Sequence, residues 1–251
     1  MPRVVLKLGG SVLTDKAGDC AILTGRIAEC AGEIARRPET RIVLVHGAGS
    51  CGHPQALRHG LDRGIPPGDP VGIAVTHAAV ARLNGTVVGA LREAGRDAVG
   101  IHPLGHCIAS EGRLLDPDWR PVELMLALGI TPVLHGDVVM DVSRGASIVS
   151  GDQLAASLAR ALHPDRVGLA TDVPGVLGKD GAVIGRIGRG QAGGFADGSR
   201  NTDVTGGMRG KLAELLALAD AGIPSSVFHA SRIGDFLDGK PHGGTTIGGG
   251  S

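Results

Sequence analysis

The sequence predicts an α/β fold built around a parallel, doubly wound sheet. Short aliphatic runs alternate with amphipathic helical patterns along most of the 251 residues, and this alternation is typical of βα units. Residues 42–45 are apolar at every position, as expected of a central parallel strand that is covered on both faces. Ligands in such sheets bind at the carboxyl ends of the strands, so the segments that follow each strand are the first candidates for function.

The strands are predicted where short apolar runs occur, and the first of these contains Val4-Val5-Leu6. The predicted strands are 3–8, 41–46, 97–101, 131–135, 166–171 and 225–228. The predicted helices are 20–37, 72–94, 121–128, 151–162 and 208–221. In the helix 151–162, Leu154, Leu158 and Leu162 recur every four residues and form one apolar stripe that should face the core.

Two regions lack this regularity. Residues 61–70 contain three prolines and are predicted to form a loop that leads into the long helix 72–94. Residues 178–207 are rich in glycine and poor in large apolar side chains, which predicts a mobile hairpin or lid. No linker or internal repeat divides the chain, so one domain is expected for 1–251.

Composition excludes several classes of function. The formal net charge is zero and aromatic residues make up only 2% of the chain, so neither the basic footprint nor the stacking surface of a nucleic-acid-binding protein is present. No signal peptide is evident and no uninterrupted apolar run approaches about 18 residues. A cytoplasmic protein without a membrane segment is therefore expected.

The four cysteines show no spacing that indicates a metal site or a disulfide framework. They are Cys20, Cys30, Cys51 and Cys107, and no C-x-x-C pair occurs among them. The expectation is that they are unbonded. Cys51, which has no histidine partner nearby for a nucleophilic pair, is interpreted as a small apolar filler.

A lysine at the end of the first strand is the first candidate for chemistry. Lys7 is followed by the turn residues Gly9, Gly10 and Ser11, and a second lysine, Lys16, follows nine residues after the first. Glycines allow the backbone to approach a ligand, and consecutive N–H groups there can bind an anion. Both ammonium groups could reach a transferring phosphoryl group. The alternative is an ordinary turn with solvent-exposed lysines.

The second candidate is the glycine-rich segment that follows the strand 41–46. His53 stands where the next helix should begin and could donate to a phosphate oxygen, or else pack against the first turn. His46 is expected to be buried and hydrogen-bonded. The loop between them is suited to a bound phosphate. Its candidate acceptor-binding residues are Gly47, Ala48, Gly49, Ser50 and Gly52.

Two aspartates at strand or helix ends each allow two interpretations. Asp152, in Ser150-Gly151-Asp152, could simply be a favourable charge at a helix N-terminus, or it could hold two lysine ammonium groups in place. Asp137 follows another strand and has a similar ambiguity, with the structural interpretation favoured. Six of the other histidines are expected to lie at structural or surface positions outside any cluster, and they are His59, His77, His102, His106, His163 and His242.

Two further segments are candidates for binding a nucleotide. Thr171 and Asp172 end a strand and could meet a ribose or a base. Gly206 and Gly207 precede a helix with Lys211 in its first turn, and a lysine there is unfavourable unless an anion neutralises it. Two phosphate-binding loops and three lysines suit phosphoryl transfer, where catalysis depends on positioning and charge. Neither the Walker pattern nor the protein-kinase motif set occurs.

In order and spacing these motifs resemble the amino acid kinase family. The segments that carry the resemblance are K-L-G-G-S at 7–11, T-D-K at 14–16, H-G-A-G-S-C-G-H at 46–53, S-G-D at 150–152, T-D-V-P-G-V at 171–176 and D-V-T-G-G-M-x-x-K at 203–211. The resemblance implies a three-layer αβα sandwich around a mostly parallel sheet. It is strongest to the members that phosphorylate isopentenyl monophosphate with ATP, which implies that activity here.

The resemblance also implies roles for individual residues. Lys7 and Lys16 would contact the transferring phosphoryl group, Lys211 would bind the nucleotide phosphates, and Asp152 would organise the lysines. The loop with His53 would hold the phosphate of the acceptor, and the half of the chain after about residue 151 would bind the nucleotide. Mg²⁺ bridging the ATP phosphates is expected, although no carboxylate cluster identifies a protein ligand for it. Members of the family are commonly homodimers.

The sequence departs from the family pattern in the acceptor loop. Ala48 and Cys51 replace a glycine and a phenylalanine, which leaves the acceptor open. A small phosphonate, as in the related fosfomycin kinases, is the alternative substrate, and a catalytically silent nucleotide-binding module is a third possibility. Side chains of the helix 72–94 either line a slot for the acceptor's tail or face the core, and they are Ile73, Val75, Val80, Leu83, Val87 and Val88.

Overall fold

The strands in the described part of the chain form two sheets. The computed structural model describes residues 1–61, 63–65, 70–178, 180–188 and 206–248, with the backbone alone described at 206–209. In chain order the strands are β1 (Arg3–Leu8), β2 (Arg41–His46), β3 (Ala98–Gly100), β4 (Ile108–Ser110), β5 (Arg113–Leu114), β6 (Thr131–His135), β7 (Asp137–Asp141), β8 (Gly145–Val149), β9 (Arg166–Thr171), β10 (Arg186–Ile187), β11 (Ser225–His229) and β12 (Thr245–Ile247).

The larger sheet has eight strands in the order β10-β12-β11-β9-β1-β2-β6-β3. Every neighbouring pair from β11 to β3 is parallel, and only β12 pairs antiparallel with β11. The smaller sheet has four strands in the order β5-β4-β7-β8. The fold is therefore a mixed α/β fold with a mostly parallel central sheet, and this prediction is confirmed.

The helices cover both faces of the larger sheet. They are α1 (Gly10–Leu13), α2 (Thr24–Ala35), α3 (Gly49–Arg58), α4 (Val71–Glu93), α5 (Arg120–Ala127), α6 (Gly151–Leu162), α7 (Gly206–Asp220) and α8 (Ile233–Leu237). One core packs the sheet against α2, α4 and α8. The other face is covered by α5, α6 and α7, with two further clusters of buried apolar side chains.

The period of two residues along β1 decides where its lysine points. Val4, Leu6 and Leu8 belong to the core on the α2 and α4 side, whereas Val5 belongs to the core on the α5 and α6 side. Successive side chains of a strand point to opposite faces, so Lys7 extends towards the same side as Val5. That is the side on which α6 begins.

Most elements agree with the sequence. The strands predicted at 3–8, 41–46, 131–135 and 166–171 and the helix predicted at 151–162 are confirmed to the residue, and the other strands and long helices end within a few residues of the prediction. The helix predicted at 20–37 begins later, at Thr24. The short helices α1 and α8, the strands β10 and β12 and the whole smaller sheet were not predicted, because their segments are rich in glycine or too short for a periodic pattern.

Helix α4 is the one helix in the described part of the chain whose length and mean hydropathy would by themselves allow a membrane span. It is not uniformly apolar, since it contains His77, Arg82 and Asn84. Thr76, Val80 and Asn84 are each 1% exposed, so one side of the helix is packed inside the protein. A packed core helix passes the same test of length and composition, and the expectation of no membrane segment stays a prediction.

The two irregular regions are described only in part. Of the predicted loop 61–70, residues 62 and 66–69 lie outside the described residues. Of the predicted hairpin or lid 178–207, residues 179 and 189–205 lie outside them. At the start of this second region, Leu177 and Val183 form an isolated antiparallel pair, which is consistent with a hairpin at that point.

The expectation that the cysteines are unbonded was wrong for two of them. Cys20 and Cys51 form a disulfide across a sequence separation of 31 residues. Cys51 is therefore a bonded residue of α3 and not merely an apolar filler. Cys30 and Cys107 are free and buried. The pairing was missed because spacing along the chain carries no information about contacts between a loop and a distant helix.

Candidate active site

A cavity of about 630 Å³ opens at the carboxyl ends of β1, β2 and β9, where the fold predicts a ligand site. Its size suits a small ligand. The sequence-predicted site residues that line it are Lys7, Gly9, Gly10, Ser11, Lys16, Gly47, Ala48, Gly49, Ser50, Gly52, His53, Ser150, Gly151, Asp152, Thr171, Asp172 and Lys211. Gly206 and Gly207 are the first two residues of α7, the helix that carries Lys211 into the cavity.

Two lysines share one carboxylate in this cavity. The Nζ atom of Lys7 donates to Oδ1 of Asp152 at 2.9 Å, and the Nζ atom of Lys211 lies 3.3 Å from both oxygens of the same carboxylate. The side chains are only 5%, 14% and 11% exposed for Lys7, Asp152 and Lys211. The arrangement brings together β1, α6 and α7, and it supports the interpretation of Asp152 as an organiser of lysines.

Lys7, Asp152 and Lys211 form a triad with a net positive charge. Burial opposes ionisation of Asp152, but Lys7 and Lys211 outweigh it and lower the pKa of that carboxyl. Burial, and then the charge of Lys7, lower the pKa of Lys211 to about 8, against the opposing effect of Asp152. Two cations against one anion in a largely buried site leave an excess positive charge that an anionic ligand would balance.

The third lysine lies at the mouth of the cavity. Lys16 is 76% exposed at its side chain, and its Nζ atom lies 3.0 Å from Oδ2 of Asp172. Partial burial opposes ionisation of Asp172, but a hydrogen bond from Ser11 and the ion pair with Lys16 lower the pKa of its carboxyl. This exposed pair contributes little to stability, so its lysine can exchange the carboxylate for another anion.

Two glycine segments from different strands touch each other at the floor of the cavity. A Cβ atom on Gly10 would lie 2.6 Å from both Cα and N of Gly49, and one on Gly47 would lie 2.7 Å from the N atom of Gly10. Gly49 also has a φ of +52°, a conformation that glycine adopts without strain. The absence of side chains therefore sets the distance between the β1 and β2 loops.

We expect Gly10→Ala to lower the free energy of unfolding by about 1–3 kcal/mol, because the added methyl group would overlap backbone that cannot rotate away. Denaturant unfolding would measure the change. Gly25→Ala is the matched control, since a Cβ atom there meets nothing within 4 Å and alanine favours the helix. Equal stability of the two variants would contradict the proposed role of the close contact.

The helix that carries His53 begins earlier than the sequence suggested. α3 starts at Gly49, so His53 lies in its second turn and not at its first residue. The N-terminus is capped from outside, because the backbone N–H of Ser50 donates to Oγ1 of Thr14 at 2.9 Å. Thr14 in turn donates to the carbonyl oxygen of Gly10 at 3.0 Å. Such a cap between segments leaves no local sequence signal.

The remaining predicted residues have visible structural partners. The Oγ atom of Ser150 accepts from the N–H of Gln153 at 3.1 Å and caps α6, which places Asp152 in the first helical turn. Thr171 is 4% exposed and donates to the carbonyl oxygen of Val173 at 2.8 Å. Its hydroxyl shapes the turn after β9 and keeps the neighbouring Asp172 at the cavity.

The expectation that His77 and His102 lie outside any cluster was wrong. Nδ1 of His102 lies 2.8 Å from Nε2 of His135, and Nδ1 of His77 lies 2.9 Å from Oδ2 of Asp137. Burial raises the pKa of Asp137 to about 6, although His77 opposes the shift. The cluster was not predicted because it combines three segments that are far apart in sequence, and no local motif contains them.

The histidine that ends β2 is buried as expected. Nδ1 of His46 lies 3.0 Å from the carbonyl oxygen of Gly47, and the side chain of Asn84 donates to its Nε2 atom at 3.1 Å. Burial lowers the pKa of His46 to about 4. This neutral imidazole ties β2 to α4 and holds the start of the glycine loop, so its role is structural.

The far end of the cavity is less polar than the lysine end. It is lined by Ala56, Thr76, Val80 and Ile148, next to His53. Of the six side chains of 72–94 considered for a tail slot, Val80 alone is among the described lining residues, whereas Leu83 and Val87 belong to the core. The slot therefore combines α3, α4 and β8, which the pattern of one helix could not show.

Sequence reasoning also missed an ion pair at the edge of the cavity. Arg113 of β5 donates to Oε1 of Glu214 in α7 at 2.6 Å, and both residues line the cavity. Glu214 is 7% exposed. The pair joins the smaller sheet to the lysine-bearing helix α7 and so helps to position Lys211. Both residues lie outside the glycine-rich motifs, which explains why they gave no signal.

The geometry suits the binding of two anionic groups side by side. The β1 and β2 glycine loops meet at the floor of the cavity, and the Lys7–Asp152–Lys211 triad lies beside them. Backbone N–H groups and lysine ammonium groups are typical ligands for phosphate. Among the described residues, no group of three or more His, Cys, Asp or Glu side chains is arranged to hold a metal ion.

The sequence matches one protein family over most of its length. The model of the amino acid kinase family matches residues 2–229. The isopentenyl phosphate kinase of Haloferax volcanii is 43% identical over 250 residues, which cover 97% of this chain and 98% of that protein. The isopentenyl phosphate kinase of Methanothermobacter thermautotrophicus is 37% identical over 97% of this chain and 98% of its own length.

Solved structures agree in fold. A structure described as an X-ray structure of isopentenyl phosphate kinase superposes with a TM-score of 0.85 at 33% identity, covering 98% of this chain and 100% of that one. The product complex of the isopentenyl phosphate kinase of T. acidophilum superposes with a TM-score of 0.80 at 26% identity, covering 97% and 99% of the two chains.

Proposed function

Because the chain belongs to the amino acid kinase family, we propose that it is a phosphotransferase that converts isopentenyl monophosphate into isopentenyl diphosphate with ATP. The single observation that carries this proposal is the Lys7–Asp152–Lys211 triad beside two touching glycine loops. The acceptor is inferred from the related isopentenyl phosphate kinases, and the cavity offers a place for it.

The proposed reaction needs no strong base. A phosphate oxygen of the acceptor is already ionised at neutral pH. It forms a bond to the γ-phosphorus of ATP as the bond from that phosphorus to the bridging oxygen breaks, and ADP leaves. Lys7 and Lys16 would balance the charge on the transferring group, while Lys211 would hold the nucleotide phosphates. Catalysis would then rest on positioning and on charge stabilisation.

The two halves of the chain would divide the substrates between them. The acceptor phosphate would sit on residues 47–52, which are the end of the β2 loop and the first turn of α3, with His53 as a donor and residues 150–151 opposite. The nucleotide would lie over Gly9, Gly10 and Ser11 and extend towards Asp172 and α7. The glycine contact between the β1 and β2 loops supports this division, since it brings the two phosphate sites together.

Mg²⁺ is proposed as the partner of ATP and not as a resident metal. The described residues include no cluster of three or more metal-ligating side chains, so this part of the chain offers no metal cage. An ion held by the nucleotide phosphates and by water would fit the usual preference of Mg²⁺ for such ligands. A cytoplasmic location and a homodimeric state are also proposed, by analogy with the family.

The less polar end of the cavity would receive the acceptor's tail. Ala56, Val80 and Ile148 line this end and offer apolar contact. A tail of five carbon atoms suits a slot of this character, since burial of apolar area favours binding by about 25 cal/mol per Å². A phosphonate with a short polar tail would make fewer such contacts.

The proposal is tested by ADP release with ATP and Mg²⁺ and a panel of acceptors. We expect kcat/KM to be at least about 10-fold higher for isopentenyl phosphate and dimethylallyl phosphate than for fosfomycin, because only the prenyl phosphates fill the apolar slot. Lys7→Met protein, assayed at the same concentration, measures any background from contaminating kinases. If fosfomycin were the only acceptor phosphorylated, the protein would instead be a kinase of a small phosphonate. No ADP release with any acceptor would overturn the kinase assignment.

A further inference from the structure

The disulfide between Cys20 and Cys51 joins the loop that carries Lys16 to the helix that carries the acceptor site. We propose that this bond is a redox-sensitive positioning device, which holds residues 15–21, here called the Lys16 loop, against α3 so that Lys16 stays at the reacting phosphates. The proposal rests on the proposed function for its effect on turnover, but its structural part can be tested without it.

Two adjacent residues of α3 hold the two ends of the Lys16 loop. At the first end, Oγ1 of Thr14 accepts the backbone N–H of Ser50 at 2.9 Å. At the other end, Cys20 is bonded to Cys51. Thr14 and Ile22 also pair across the base of the loop. The loop is therefore tied to the N-terminal turns of α3 by a hydrogen bond and a covalent bond.

Lys16 needs this support because nothing buries it. Its side chain is 76% exposed and reaches only the partly exposed Asp172. A long, exposed lysine loses much rotamer freedom when it is held in one place. Fixing the backbone beneath it lowers that cost, and small misplacements of a catalytic group can reduce the rate strongly. The covalent tie thus acts on kcat through Lys16 and not by contact with substrate.

The bond is placed where a reductant can reach one of its sulfur atoms. Cys51 is 1% exposed, whereas Cys20 is only partly buried at the edge of the core. The guanidinium of Arg82 donates to Sγ of Cys20 at 3.2 Å, and a neighbouring cation favours a thiolate once the bond is open. Disulfides in cytoplasmic proteins are usually of this transient, redox-sensing kind.

The backbone of the loop also has reason to move when the bond opens. Cys20 has a φ of +55°, in the left-handed region that is unfavourable for residues with a side chain. While the disulfide is closed, it holds Cys20 in this conformation. After opening, Cys20 can return to an ordinary backbone conformation, and the neighbouring segment that carries Lys16 shifts with it.

The redox step balances with a dithiol as the reductant. A thiolate of the dithiol attacks Sγ of Cys20, the bond between the two protein sulfur atoms breaks, and the Cys51 sulfur leaves and takes up a proton. The second thiol of the reductant then displaces Cys20, which is also protonated. The protein gains two electrons and two protons, and the dithiol is oxidised to its own disulfide.

The test compares the oxidised and the dithiothreitol-reduced full-length protein, with alkylation and mass spectrometry to count free thiols. For isopentenyl phosphate we expect reduction to lower kcat about 10-fold with both KM values nearly unchanged, and reoxidation to restore it. Cys20→Ser should have the low kcat under both conditions. An equal kcat for oxidised and reduced protein would overturn the proposal, as would four free cysteines in the unreduced protein.

A second readout does not depend on turnover. A protease that cleaves after lysine and arginine should cut after Lys16 faster in the reduced protein, because the Lys16 loop is then tied to α3 at one end only. The bond after Arg36, whose side chain is 68% exposed and which is not followed by proline, is the control site and should be cut at the same rate in the oxidised and the reduced protein. If no acceptor is phosphorylated, the proposed function fails, and an unchanged cleavage rate after Lys16 would then overturn the positioning role as well.

Discussion

Lys7→Met is expected to lower kcat by roughly 10³-fold while the protein stays folded. Methionine keeps the aliphatic stem of the lysine, which passes close to Gly151, and removes only the ammonium group. Asp152 then still has Lys211 as a partner at 3.3 Å, so no buried carboxylate is left unpaired. The loss should appear mainly in kcat, because the ammonium group balances charge that develops in the transition state.

Steady-state kinetics with the best acceptor would measure this effect, and thermal unfolding would check the fold. Lys240→Met is the matched control, since Lys240 is an exposed lysine paired with Asp238 and is not among the residues that line the cavity. It should retain full activity. A Lys7→Met protein with kcat within about 10-fold of the unaltered protein would remove Lys7 from the catalytic machinery.

The strand–lysine–glycine segments could be predicted from sequence because the structure that forms them is local. A parallel strand that is followed by glycines ends at the carboxyl edge of the sheet, wherever in the sheet the strand lies. Lys7 and residues 47–52 were therefore expected to lie near the ends of other strands. The period of two along β1 then turns Lys7 towards α6. The same reasoning brings Asp152 to it, because α6 begins at that edge.

The parts that the sequence did not reveal all depend on contacts between distant segments. The Cys20–Cys51 bond, the cap of α3 by Thr14 and the contact of His102 with His135 each join pieces more than 30 residues apart. None has a sequence pattern, because a hydroxyl, a thiol or an imidazole can have many roles. The first turn of α3 was also missed, because it contains Gly49 and Gly52 and the low helix propensity of glycine predicts a loop there.

The other large effect is expected for Asp152→Asn, which removes one charge and keeps the shape. Lys7 and Lys211 would then face each other without a counter-ion in a site where their side chains are only 5% and 11% exposed. Removing one partner of a buried ion pair costs about 3–5 kcal/mol of stability. Denaturant unfolding near pH 7 should show a loss of that order. Asp235→Asn, which breaks the more exposed pair with Arg232, should cost less than about 1 kcal/mol.

The pH dependence distinguishes this account from simple loss of packing. Asp152 opposes the burial that lowers the pKa of Lys211, so without the carboxylate that pKa should fall below its present value of about 8. A lysine whose pKa is lower in the folded than in the unfolded state binds fewer protons when folded, and stability then rises with pH between the two pKa values. The asparagine protein should therefore regain part of its lost stability as the pH is raised above 7.

Raising the pH should lower activity, although it raises the stability of the asparagine protein. In the unaltered protein, kcat/KM for ATP should fall as the pH rises through about 8, because Lys211 loses the charge that attracts the nucleotide phosphates. In Asp152→Asn the same falling limb should lie at lower pH, so the variant loses activity at a pH where it gains stability. Coincident falling limbs for the two proteins would contradict the assignment of Asp152 as the residue that keeps Lys211 protonated.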